Sequence, residues 1–63
     1  METICLLVPK TLGLAMCIAV DEIKAKLNVI SKGYNSFGLL YLVQGNRDDI
    51  MKVADDVSAI EWF

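Results

Sequence analysis

No histidine occurs in the 63-residue chain, so the commonest general base is missing. The groups left that could react are two cysteines, three serines and three adjacent acid pairs. Cys5 and Cys17 both sit inside apolar runs. They read as reduced core residues, since free cysteine is among the most buried types; one strand-to-helix bridge is the other arrangement open to them. Two cysteines without histidine do not compose a zinc site, and neither a metal nor a cofactor is expected. Ser31, Ser36 and Ser58 have no activating partner nearby in sequence. Asp21-Glu22, Asp48-Asp49 and Asp55-Asp56 diverge if helical and read as solvated faces. Thr11-Leu12-Gly13 could present a helix N-terminus to an anion, but one glycine suits close packing equally well. No residue is assigned a catalytic role, and an enzyme is the least supported class.

The stretch from Lys32 to Asn46, KGYNSFGLLYLVQGN, holds three of the four glycines. Between Gly33 and Gly38 it offers Asn35, Ser36 and Phe37. With Gly38 these form a candidate pore or ligand loop. The competing reading is a hairpin turn whose glycines supply unusual backbone angles. An aromatic ring at such a tip is unfavourable unless something covers it.

The elements that must position this loop follow from periodicity. Thr3 to Val8 is a continuous apolar run ending at Pro9, as expected for a central strand. Thr11 is the expected cap of a first helix, with Leu12, Met16, Val20, Ile23 and Leu27 on one face. Leu14, Cys17 and Ile18 make the first half of that helix apolar on its other side too, a candidate interface. Asn28 ends it. Val29 to Lys32 is expected as a short strand, Gly33 to Gly38 as a connection and Leu39 to Val43 as a second apolar strand. Asn46 caps a second helix, whose first turn carries Asp48 and Asp49, favoured there by the helix dipole. Ile50, Val53, Ala54 and Val57 form its apolar face. The closing AIEWF reads as a last strand or as a segment covered by a neighbour, with Trp62 and Phe63 at the candidate interface. The expected fold is a single α+β domain over residues 1–63. Its order is strand-helix-strand-strand-helix, with a further strand at the end, ferredoxin-like, with helices on one face of the sheet.

Composition bounds the role. The chain is 56% hydrophobic with mean hydropathy +0.50, more apolar side chain than one small core hides. A subunit interface is the usual outlet, and a homo-oligomer is expected. The longest apolar run, Leu12 to Val20, falls short of the about 20 residues a membrane helix needs. Met-Glu-Thr at the start carries no basic region of the secretory kind, so a cytoplasmic location is expected. Net charge is −2, and the six basic residues are scattered, which argues against phosphate-backbone contact with nucleic acid.

The order of landmarks resembles the bacterial microcompartment shell-protein domain. Thr11-Leu12-Gly13 heads the first helix, Asp21 precedes a strand starting at Val29, and Gly33-Tyr34 closes that strand. The family's Gly-Ser-Gly pore loop corresponds to Asn35-Ser36-Phe37-Gly38, and Gly45-Asn46 to its Gly-Asp before the second helix. The likeness covers roughly Ile4 to Val57 through short motifs in order. The loop is shortened, and the family's edge lysine falls at Ala25, between Lys24 and Lys26, which join the candidate interface. The usual last strand is reduced to AIEWF. The resemblance implies a hexamer-like ring of structural subunits, with Ser36 and Phe37 at a narrow axial opening for small molecules. The alternative is a ferredoxin-like regulatory domain that dimerises and binds a small molecule, such as an amino acid, near Pro9 to Gly13.

Overall fold

Glu2–Pro9 forms β1, and its alternation already divides the molecule. Ile4, Leu6 and Val8 are each no more than 3% exposed and point to a core shared with two helices. The computed structural model describes residues 1–62. After β1 come a 3₁₀ turn at Lys10–Leu12, α1 at Ala15–Lys26, β2 at Asn28–Asn35, β3 at Gly38–Gly45, α2 at Arg47–Val57 and β4 at Ile60–Glu61. The sheet order is β2-β3-β1-β4 and every pairing is antiparallel. This is the expected α+β fold with a ferredoxin-like order, both helices lying on one face. No helix among the described residues is long and apolar enough to cross a membrane.

The two helices obey their apolar stripes. Ile23, Ile50 and Ala54 are fully buried, and Leu12, Met16, Val20, Leu27, Val53 and Val57 pack around them. Asn46 caps α2 as expected: its Oδ1 accepts the N–H of Asp48 at 2.9 Å and that of Asp49 at 3.4 Å.

Thr11 caps nothing, which corrects one expectation. The chain first makes the 3₁₀ turn, and Gly13 then adopts φ 60° and ψ −128°, a conformation that stops helical propagation and favours glycine. α1 therefore starts at Ala15, with no side-chain cap. Its other end is earlier than expected, since Leu27 is already extended and Asn28 opens β2.

A second correction concerns β2. It runs on through Gly33 and Tyr34 to Asn35, because β3 supplies a ladder partner at each step up to Asn35↔Gly38. The expected six-residue connection shrinks to a two-residue turn, Ser36-Phe37. A bulge at Ile30 marks the one break in register.

Candidate functional site

The hairpin tip is built by Asn35. Its Oδ1 accepts the N–H of Phe37 at 2.8 Å and of Gly38 at 3.2 Å. Lys10 donates its N–H to the Phe37 carbonyl at 2.9 Å, docking the tip on the end of β1. Gly38 is buried there, and a Cβ on it would collide with the Val8 carbonyl oxygen. So the glycine serves a close approach of two backbones. Ser36 is exposed, with its side chain free for contact.

Phe37 is 58% exposed but not unaccompanied. Its ring centroid lies 5.4 Å from that of Trp62, with planes tilted by 44°, within the range of favourable aromatic pairs. The ring at the tip is expected to need cover, and within the chain its neighbour is the single tryptophan. Trp62 is held in turn by its N–H to the Cys5 carbonyl at 2.8 Å. Phe63 lies outside the described residues. A pairing between residues 25 apart leaves no mark in local periodicity.

The pair stands at the end of a sheet face that no helix covers. Cross-strand partners share a face, so Cys5, Leu7, Leu40, Leu42 and Ile60 line up opposite the core. Leu7 is only 3% exposed even so. Its register partners are Leu40 on one side and Ile60 on the other, and Trp62 follows two residues later. Leu40 and Leu42 are half-buried, and Ile60 is 49% exposed. A solvated antiparallel face would alternate to polar residues here. The charged residues of the strands all pair on the helix side: Glu2 with Gly45, Lys32 with Tyr41, Glu61 with Leu6.

The other candidate surface is α1. Leu14 is 93% exposed and Ile18 66%, one turn apart on the outer flank. Cys17 is exposed beside them, which corrects its assignment to the core. It sits two residues, about 200° round the helix, from buried Ala19. Cys5 is half-buried on the bare face, both thiols are free, and burial pushes the Cys5 thiol up from its ordinary value. Between α1 and β3 runs an apolar groove of about 450 Å³ lined by Gly13, Leu14, Met16, Cys17, Val20, Asp21, Leu39 and Tyr41. Lys24 and Lys26 are both exposed near the end of α1, and Lys26 Nζ pairs with Glu22 at 2.8 Å.

One polar cluster was not foreseen. The Arg47 guanidinium, first residue of α2, meets Glu2 at 2.7 Å and Glu61 through two nitrogens at 3.1 and 3.4 Å. It ties the start of β1, the start of α2 and β4 together. These residues are 45 and 14 positions apart, so only the fold brings them into contact. Among the described residues no three acidic or thiol side chains converge as metal ligands would. No family model matches the chain, and no curated protein or solved structure matches it.

Proposed function

We propose that this chain is a subunit of a homo-oligomeric structural assembly, the role implied by its resemblance to microcompartment shell domains. The observation that carries the reading is where the uncovered apolar side chains lie. Leu14 and Ile18 stand out from the helix layer, while Ile60 and Phe37 edge the bare side of the sheet. Uncovered apolar groups on both layers of one small domain give it more than one surface for its own copies. A closed dimer needs a single self-complementary patch, whereas rings and larger closed assemblies need further contacts. In a hexamer-like ring of the kind the resemblance implies, the Ser36-Phe37 tip would stand at the axis.

A second reading draws on the groove between α1 and β3. It adjoins Gly13 and is apolar with one carboxylate, Asp21, at its wall. That suits a small molecule bound by a regulatory dimer. Native mass spectrometry with sedimentation separates the readings. An oligomer larger than two at micromolar concentration is expected. A dimer that captures a small molecule would favour the second reading, and a folded monomer at all concentrations would end both.

A further inference from the structure

We propose that the bare face of the sheet is closed by the same face of a second copy, sheet on sheet, about a two-fold axis running along the strands. The inference rests on the assembly reading above and names the surface. Three observations lead to it.

The first is charge. The face carries Cys5, Leu7, Leu40, Leu42 and Ile60 at its centre, with Thr3, Ser31 and Gln44 around them, while Glu2, Lys32 and Glu61 turn to the helix side. A chain of net charge −2 can thus meet itself here without bringing like charges together. Lys32 borders the hollow at the β2 edge, and the two-fold arrangement sets it across from β4 rather than from its own copy.

The second is shape. At the β2 side lies a hollow of about 230 Å³ formed by Cys5, Leu40 and Leu42 with the edge-strand segment Ser31 to Gly33. Gly33 leaves it open, with nothing within 4 Å of where a Cβ would stand. At the β4 side Ile60 stands 49% exposed. Gly33 pairs with Leu40, Leu40 with Leu7 and Leu7 with Ile60, so hollow and ridge stand at one level across the sheet. A two-fold axis along the strands, between β1 and β3, lays the β4 edge of each copy over the β2 edge of the other. Ile60 of one copy then enters the Gly33 hollow of the next, and the reverse contact follows by symmetry.

The third is area. Strand lengths and spacings give roughly 400 Å² of plane per copy, and side-chain relief raises the accessible area above that. Two such faces give roughly 800 Å² of plane before that relief is counted, near the lower end for specific interfaces, because the two-residue β4 covers only part of the eight-residue β2.

The test compares wild type with Leu42→Lys on the bare face and Leu14→Lys on α1, by sedimentation and circular dichroism. Leu42→Lys is expected to raise the dissociation constant of the two-fold contact at least ~100-fold, since a lysine would be buried there unpaired. Leu14→Lys should leave that contact within about twofold, its site being remote. In wild type, alkylation of Cys5 should slow about tenfold as concentration rises through the association range, while exposed Cys17 keeps its rate. That readout also decides the matter if Leu42→Lys does not fold. Cys5 alkylating equally fast at every concentration, or Leu42→Lys associating like wild type, overturns the sheet-face contact. If Leu14→Lys alone dissociates the oligomer, the assembly reading stands and this one falls. A wild-type monomer at all concentrations removes both.

Discussion

Phe37 is more than half exposed, yet it is the residue on which the tip and the chain end meet. A fully buried phenylalanine costs about 3–5 kcal/mol on truncation. A partly exposed ring in one aromatic contact should cost less, so Phe37→Ala is expected to lose about 0.5–1.5 kcal/mol. A double-mutant cycle with Trp62→Leu, read by chemical denaturation, should return most of that as coupling. A loss on the buried scale would mean that the ring folds into the core. Gly38 is the harsher position, although it looks like mere turn punctuation. Its missing Cβ lets the hairpin close on the Val8 carbonyl and the Lys10 amide. Gly38→Ala is expected to cost at least ~2 kcal/mol, because backbone rather than a movable side chain is in the way. A melt within about 0.5 kcal/mol of wild type would contradict the packing described at this glycine.

The helix ends show what a sequence can disclose at the scale of elements. Asn46 and Thr11 look alike on paper, each a capping residue just before an apolar stripe. Asn46 receives two backbone N–H bonds, whereas Thr11 sits in a 3₁₀ turn that Gly13 separates from α1. Asn46→Ala should therefore cost about 1 kcal/mol. Thr11→Ala should stay within about 0.5 kcal/mol of zero, as for exposed positions without a cap; equal losses at the two sites would refute the assignment. The apolar faces of both helices and the apolar strands were legible because burial imposes its period locally. The reach of β2 was not, since Gly33 and Tyr34 have a turn-like local signal and are held in a strand only by the ladder from β3. Cys17 carries two readings, core residue by its type and outer side of the helix by its spacing, and the spacing agrees with its exposure. The Phe37–Trp62 contact and the Arg47 cluster join distant segments, and only topology could reveal them.

A 63-residue domain buries only about 60% of the surface its unfolded chain exposes, so small linked equilibria weigh heavily on the whole molecule. Protons are one such equilibrium. With no histidine present, no side chain of ordinary pKa titrates between about pH 5 and 8. Three groups above that range are raised, Cys5, Lys26 and Arg47, and the first two titrate lowest. Burial raises the Cys5 thiol above its ordinary 9.0, and the hydrogen bond to Glu22 holds the Lys26 ammonium above its ordinary 10.5. In both, the folded chain keeps its proton more tightly than the unfolded chain does. The associated stability is fully present below the ordinary values and is lost as pH rises through the raised ones. Stability is therefore expected to stay level from pH 7 to about 9 and to fall above it. Cys5→Ala should remove the part of the fall that begins near 9, and Lys26→Gln the part above it. Closure of the bare face would desolvate Cys5 further, so the first part should move to higher pH as protein concentration rises. Denaturant titrations across this range at two concentrations measure each effect. A decline already under way between pH 7 and 8 would contradict the account, because Cys5 and Lys26 both keep their protons there in either state.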